Sequence, residues 1–215
     1  MRKTPLVTGH IYHIFNRGVN KQDIFFEKWD YVRFLKAAVH YRSENSKFSY
    51  GFGAARVMPL NNDTGSLGKP KVEVLAYCLM PNHFHFLIRQ LEDSGITDYM
   101  RRFMNSYAHY VNVRQKRIGP LFAGRFKNVL IETDEQLLHV SRYVHLNPLV
   151  SGLVNDLEAH PWSSYSFYVN GSGDDVCTSG EIIRMFKSRD DYRKFVLDQV
   201  GYGKELERIK HLTMD

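Results

Sequence analysis

Hydrophobic and polar residues along the chain follow two different periods, and the period changes from segment to segment. Short runs rich in aromatic and β-branched residues predict strands, because such side chains suit a pleated, half-buried surface. Longer stretches with apolar residues three or four positions apart predict amphipathic helices. The predicted strands are residues 9–15, 72–80, 83–89 and 126–131, and the predicted helices are residues 29–42, 96–117 and 134–147.

Several of these elements end at residues that favour a boundary. Thr97 and Thr133 lie where a hydroxyl would cap the first free N–H groups of a helix. Gly119-Pro120 is expected to end the second helix and Pro148 the third, because proline has no N–H to donate. The turn at residues 81–82, Pro-Asn, separates the two middle strands.

The order strand, helix, strand, strand, helix, strand is the split βαβ pattern of a ferredoxin-like sandwich. We therefore predict an α+β fold in which helices cover one face of an antiparallel sheet. Residues 45–71 are rich in Ser, Asn, Gly, Asp and Pro and are predicted to be a loop or the tip of an extended hairpin.

The pattern changes after residue 150. Residues 160–165 (HPWSSY) are interpreted as a docking loop in which Trp162 joins the core, residues 170–175 as a linker, and residues 181–200 as one or two helices. The expected organisation is a catalytic domain over residues 1–150 and a docking loop with a helical extension over residues 151–215.

Composition narrows the class of protein. A hydrophobic fraction of 43% with 24% charged residues is typical of a soluble globular protein. The sequence contains neither an apolar run of the roughly 18 residues needed to span a bilayer nor a signal-peptide pattern at its start. Two cysteines, Cys78 and Cys177, cannot build a disulfide framework. We therefore expect a cytoplasmic protein that does not bind membranes.

The net charge of +6 has an uneven distribution. Residues 97–131 contain seven cationic side chains and Asp98 as their only acidic one, so this segment alone carries a net +6. Six Tyr and Phe residues are interleaved with those charges. Cations for phosphates and rings for unstacked bases indicate single-stranded nucleic acid, while a solvated helix face with core aromatics is the equal alternative.

Two pairs of residues could carry chemistry. His83 and His85 are two apart on a predicted strand, so both imidazoles lie on one face and could bind one divalent metal ion; two ordinary hydrogen-bonded histidines are the alternative. Tyr143 and Asn147 are four apart on a predicted helix and share a face. The phenol of Tyr143 can act as a nucleophile if it is activated. His145, between them in sequence, points about 200° away from Tyr143 around the helix and is expected to face elsewhere.

These residues occur in motifs that resemble a known family. Residues 80–87 (MPNHFHFL) resemble the signature of the single-tyrosine HUH transposases, and residues 143–148 (YVHLNP) resemble their tyrosine helix, especially in the REP-associated branch. Further matches occur in the family's order, namely YHIFNRG at residues 12–18, GRFK at residues 124–127 and HPWSSY at residues 160–165.

The resemblance implies a metal-dependent endonuclease and strand transferase for single-stranded or hairpin DNA. It implies that Tyr143 is the nucleophile and forms a 5′-phosphotyrosine. It further implies that His83 and His85 bind a divalent ion, Mg²⁺ or Mn²⁺, with Asn147 as third ligand where many relatives have Gln. Because the family contains both dimers and monomers, a homodimer is compatible with the sequence.

A wider set of polar residues is expected to contact the DNA. These residues are Arg101, Arg102, Arg114, Arg125, Lys127, Asn16 and Arg17. For Asn16 and Arg17, a structural role at the end of the first strand is the equal alternative. Two other functions stay open: a phosphodiesterase that uses water in place of tyrosine, and a non-catalytic or domesticated nucleic-acid-binding protein on the same fold.

Overall fold

The structure is a computed structural model, and it describes residues 5–43 and 68–201. Four strands form one antiparallel sheet with the spatial order β2-β3-β1-β4. In chain order the elements are β1 (Ile11–Arg17), α1 (Lys28–Tyr41), β2 (Val72–Met80), β3 (His83–Gln90), α2 (Gly95–Arg114), β4 (Lys127–Ile131), α3 (Asp134–Val150), α4 (Tyr165–Asn170), α5 (Gly180–Ile183) and α6 (Arg189–Leu197). The predicted α+β ferredoxin-like fold is confirmed. Of the predicted loop at residues 45–71, positions 45–67 lie outside the described residues.

One face of the sheet packs against α1 and α2 through aromatic side chains. Phe34 of α1 lies 5.2 Å from Phe84 of β3 and 4.5 Å from Phe103 of α2, measured between ring centroids. Tyr107 of α2 contacts Phe34 edge-on at 4.8 Å. All four rings are fully buried. This aromatic layer is the main core, and burial of each such side chain stabilises the fold by about 1.5–3 kcal/mol.

The opposite face of the sheet packs against α3. Because side chains alternate along a strand, the odd-numbered residues of β1 and β3 point away from α1 and α2. The ring of Tyr143 on α3 lies against His85 on this face. The expectation of helices on one face thus holds for α1 and α2 only. The third helix covers the second face, which would otherwise expose apolar side chains such as Leu87.

Two predicted helix boundaries were wrong. Helix α2 begins at Gly95 rather than after Thr97, and the backbone N–H of Ile96 donates to the side chain of Gln90 in place of a hydroxyl cap. Residue 95 must be glycine here, because a Cβ would lie 2.5 Å from the carbonyl oxygen of Lys71. Helix α3 continues past Pro148 to Val150, since a proline near a helix end removes one hydrogen bond only. Thr133 caps α3 as predicted and accepts from the N–H of Gln136.

The extension covers the outer edge of β2. The N–H of Leu79 donates to the carbonyl of Trp162, and the N–H of Ser164 donates to the carbonyl of Tyr77. The indole of Trp162 is half-buried and stacks on Tyr31 at 4.7 Å, consistent with its predicted place in the core. The segment interpreted as a linker is held as well, because Asp174 accepts a hydrogen bond from the Tyr77 hydroxyl. These contacts satisfy an edge strand that would otherwise be open to pairing with another chain.

Candidate active site

Strand β3 begins with the two histidines of the predicted site. His83 and His85 lie on the α3-side face, and their ring centroids are 5.0 Å apart with the ring planes nearly perpendicular. His85 is 5% exposed, whereas His83 is half-buried at the end of the strand. The prediction that the imidazoles of His83 and His85 lie on one face of the strand is confirmed. The pair therefore has one imidazole in the floor of the site and one at its rim.

The turn before β3 fixes the orientation of His83. The Nδ1 atom of His83 lies 2.6 Å from the Oδ1 atom of Asn82, and the Nδ2 atom of Asn82 donates to the carbonyl of Lys21. Because the second bond identifies Nδ2, Oδ1 must be the acceptor for His83. His83 then carries its proton on Nδ1 and none on Nε2, and an unprotonated imidazole nitrogen is the form that binds a metal ion.

A third histidine joins the site from β1. The Nε2 atom of His13 lies 2.9 Å from the Nδ1 atom of His85, and the two rings stack at 5.1 Å. No role for His13 follows from the sequence, because nothing in one strand shows which residues of the neighbouring strand it contacts. In the β1–β3 register His85 pairs with Phe15, so His13 is its diagonal neighbour. Burial lowers the pKa of the His13 imidazole to about 4, which keeps it neutral near pH 7.

Helix α3 places Tyr143 directly over these histidines. The phenol ring lies edge-on to His85 at 5.3 Å and to His13 at 5.8 Å. Its side chain is 42% exposed, so a large substrate can reach it. The buried residues Val144 and Leu137 anchor the helix on the sheet. The structure therefore brings together the predicted nucleophile and the predicted metal ligands, which are sixty residues apart in sequence.

Asn147 lies one turn beyond Tyr143 on α3. Its Nδ2 atom donates to the carbonyl of Tyr143 at 3.0 Å, so the remaining polar atom is Oδ1, the atom that a metal would require. Within residues 5–43 and 68–201, no three His, Cys, Asp or Glu side chains lie close enough to share an ion. The three ligands predicted from the resemblance, the imidazoles of His83 and His85 and the amide oxygen of Asn147, are all uncharged when they bind a metal ion. Imidazole nitrogens and amide oxygens both bind divalent metal ions, and uncharged ligands would leave the positive charge of such an ion for phosphate.

Two of the predicted DNA contacts extend this face of the sheet. Arg17 is the register partner of His83, and Lys127 is the register partner of Phe15, which in turn pairs with His85. Both cationic residues are exposed. Arg125, also exposed, precedes β4. Neighbouring strands are about 4.8 Å apart. Arg17 is therefore one strand spacing from His83 and Lys127 two from His85, close enough for one DNA strand to contact the cations and the histidines together.

Asn16 has a structural role instead. Its Nδ2 atom donates to the carbonyl of Gly124, its Oδ1 atom accepts from the N–H of Arg17, and its side chain is buried. As an even-numbered residue of β1 it points to the face covered by α1 and α2. Of the two alternatives considered for Asn16, the structure favours the structural one, in which it braces the loop before β4.

The three arginines of α2 lie on the far side of the sheet from the histidines. Arg114 pairs with the buried Asp30 at 3.0 Å and also with Glu27, both near the start of α1. Arg102 is buried, with its guanidinium 5.4 Å from the centroid of the Tyr41 ring. Arg101 is half-exposed and pairs with Asp98 at 2.5 Å. Arg102 and Arg114 therefore contribute to the contact between α1 and α2, whereas Arg101 is an exposed residue of α2 on the far side of the sheet from Tyr143.

His145 faces away from the site, as predicted. It is fully buried, with Nδ1 2.7 Å from the Tyr192 hydroxyl and Nε2 2.8 Å from the Ser164 hydroxyl. Desolvation lowers the pKa of His145 to about 3. The network joins the back of the tyrosine helix to α6 and to the loop on β2. The extension therefore supports α3 from behind.

Fold and site together define a class of protein with a tyrosine helix over a histidine-bearing antiparallel sheet. The family model described as "Transposase IS200 like" matches residues 65–147, which span both histidines, Tyr143 and Asn147. The resemblance to the single-tyrosine transposases is thereby confirmed.

Two individual proteins similar to this chain are described as REP-associated tyrosine transposases. A Haemophilus influenzae protein (strain ATCC 51907 / DSM 11121 / KW20 / Rd) named as a REP-associated tyrosine transposase is 27% identical over 103 residues, 43% of this chain and 58% of that relative. The match therefore spans little more than half the length of that relative. A solved structure of a REP-associated tyrosine transposase bound to a REP hairpin aligns with a TM-score of 0.57 over 83% of this chain and 90% of the other. At 14% identity this second likeness shows the fold alone.

Among the described helices, none is both long and apolar enough to span a membrane.

Proposed function

We propose that this protein is a transposase-like endonuclease and strand transferase that cuts and rejoins single-stranded DNA through Tyr143. The observation that carries the proposal is the position of the half-exposed Tyr143 ring, edge-on to His85 at 5.3 Å. A tyrosine with only a packing role would be more deeply buried, as Tyr99 and Tyr107 of α2 are. We further propose residues 1–150 as the catalytic unit and residues 151–215 as the docking loop and extension that support it.

The proposed reaction is the one that the resemblance to the single-tyrosine transposases implies for Tyr143. The phenolic oxygen attacks the phosphorus of a phosphodiester, the bond from phosphorus to the 3′ oxygen breaks, and the 3′ oxygen leaves as a hydroxyl after taking up a proton. The protein then carries a 5′-phosphotyrosine. Attack by another 3′ hydroxyl reverses these bond changes and joins a new strand, without ATP, because the ester bond is retained.

The side chains of His83, His85 and Asn147 would hold a divalent ion, with Mn²⁺ or Mg²⁺ as the candidates. When bound, such an ion neutralises charge on the non-bridging phosphate oxygens and favours the attacking phenolate. Asn82 orients the His83 ring for this task. Arg17 and Lys127 contact phosphates on either side of the cut, where their positive charge holds the strand across the sheet face.

The substrate we propose is single-stranded DNA next to a hairpin. The REP-associated relative of known structure was solved with a REP hairpin. We propose a single strand at the cut, because the scissile phosphate must come within reach of Tyr143, whose ring lies against His85 and His13 of the sheet. The phosphate contacts on β1 and β4 favour a backbone that crosses the sheet face.

The experiment uses a labelled hairpin oligonucleotide with single-stranded flanks, incubated with the full chain and Mn²⁺. A covalent protein–DNA product that is absent in Tyr143→Phe supports the proposal. Tyr31→Phe is the matched control, since Tyr31 is a half-buried tyrosine on α1 at the other face. Cleavage that persists in Tyr143→Phe would show hydrolysis by water, and binding without cleavage under Mn²⁺ or Mg²⁺ would show a non-catalytic DNA-binding protein.

A further inference from the structure

The ring of His13 is confined on several sides beneath the tyrosine helix. It stacks on Phe15 at 4.8 Å and on His85 at 5.1 Å, and it meets the edge of Tyr143 at 5.8 Å. Only 9% of the residue is exposed. A ring packed in this way has little freedom to rotate, so its Nε2 atom keeps its 2.9 Å contact with Nδ1 of His85.

The contact between His13 and His85 has two proton arrangements. In one, Nδ1–H of His85 donates to the lone pair on Nε2 of His13, and Nε2 of His85 carries no proton. In the other, Nε2–H of His13 donates, and the proton of neutral His85 lies on its own Nε2, which can then bind no metal. The first arrangement alone is compatible with His85 as a ligand.

The two candidate ligands then have equivalent surroundings. His83 is held through Nδ1 by the Oδ1 atom of Asn82, and His85 is held through Nδ1 by the Nε2 atom of His13. An acceptor behind a ligating imidazole fixes its tautomer and its ring orientation. Asn82 precedes His83 in sequence, whereas His13 reaches His85 from another strand, 72 residues away.

We propose that His13 is a positioning residue that holds His85 as its Nδ1–H tautomer, with Nε2 presented to the metal. The proposal rests on the proposed function for the identity of the metal ligands. It extends that function by assigning a task to a histidine that itself contacts neither the metal nor the DNA in the proposed reaction.

Nuclear magnetic resonance of ¹⁵N-histidine-labelled protein tests the tautomer without metal or DNA. Spectra are recorded at about pH 8, above the ordinary imidazole pKa of about 6.5. We expect the wild-type His85 to carry its proton on Nδ1, the His13→Leu variant to lose that signature, and the His13→Gln variant to keep it, since a Gln Oε1 can accept the same bond. His83 is the internal control, because Asn82 fixes it in all three proteins.

Calorimetric titration with Mn²⁺ gives the second measurement. Loss of such a supporting partner typically weakens metal affinity by about 10–100-fold, so we expect that loss in His13→Leu and near-wild-type affinity in His13→Gln. Thermal unfolding shows whether both variants fold, and His13→Gln alone keeps the test valid if His13→Leu does not.

Two outcomes would overturn the inference: a wild-type His85 protonated on Nε2, or equal tautomers and equal Mn²⁺ affinities in wild type and a folded His13→Leu. The proposed function fails separately, if Tyr143→Phe still forms the covalent product or if wild type forms none. A correct tautomer in a protein that does not cleave would leave the role of His13 intact.

Discussion

The cations beside the histidines should dominate DNA affinity, and the double variant Arg17→Gln/Lys127→Gln removes two of them. Arg17 lies next to His83 in the sheet register, and Lys127 lies two strands from His85. Both are exposed on the face covered by Tyr143. If the strand crosses this face, each side chain neutralises one phosphate and releases the counterion bound there.

The expected magnitude follows from the number of charges removed. Each contact to a single strand contributes about −0.7 to the slope of log K against log salt concentration. Removing two contacts should therefore make the slope less steep by about 1.4. Relative to a reference of 1 M salt, the same slope makes each contact worth about 4-fold in affinity at 0.15 M salt and the pair about 14-fold. At 0.05 M salt the pair is worth about 65-fold.

Fluorescence anisotropy of a labelled hairpin oligonucleotide, titrated from low to high salt with a chelator present, measures this slope. The matched control is Lys28→Gln/Arg101→Gln, which removes the same charge from α1 and α2 on the far face. Its slope should stay near that of wild type. The reasoning is refuted if the control loses the slope and the Arg17/Lys127 variant does not, because the DNA would then lie along α2 as the charge pattern first suggested.

Two further predictions concern Asn147, the proposed third metal ligand, and His145, the buried histidine of α3 that contacts the extension. Asn147→Ala should weaken Mn²⁺ binding by at least about tenfold with little change in DNA affinity, as calorimetry and anisotropy would show; unchanged Mn²⁺ affinity would exclude Asn147 as a ligand. Because the folded-state pKa of His145 is lowered to about 3, an unfolded His145 takes up a proton near its ordinary pKa of about 6.5 while the folded one does not. The stabilisation that depends on neutral His145 is fully present above pH 6.5. As the pH drops from 6.5 toward 3, the free energy of unfolding falls by at most about 1.4 kcal/mol per pH unit. Thermal melts at a series of pH values should show this loss, and His145→Gln should flatten it; an equal pH dependence in both proteins would contradict the assignment. His13 has a pKa lowered in the same direction and contributes in both proteins.

Local sequence pattern was sufficient for the parts of the site that lie within one element. The alternation of side chains along β3 placed His83 and His85 on one face, and the helical period of α3 placed Asn147 one turn from Tyr143. The order of strands and helices predicted the ferredoxin-like fold. Connections between parallel strands are almost always right-handed, and this rule leaves few topologies compatible with that order. Each of these relations spans a handful of residues or follows from the order of the elements.

Other features depend on which surfaces meet after folding. The same charge pattern on α2 fits a DNA surface or a contact between helices, and only the presence of Asp30 and Glu27 at the start of the neighbouring helix assigns Arg114 to the contact between α1 and α2. Pro148 stayed inside α3 because the lost hydrogen bond falls in a helix end that is held by packing. These outcomes depend on partners far away in sequence.

The position of His13 shows the difference most directly. The sequence by itself determined that His83 and His85 share a face, that Tyr143 lies on a helix, and that the elements form an antiparallel sheet. The tertiary structure alone decided that Tyr143 covers that face and that His13 lies behind His85. The physical reason is that side-chain direction is set by the backbone of one strand or helix, whereas contact between side chains is set by strand register and by which helix packs on which face.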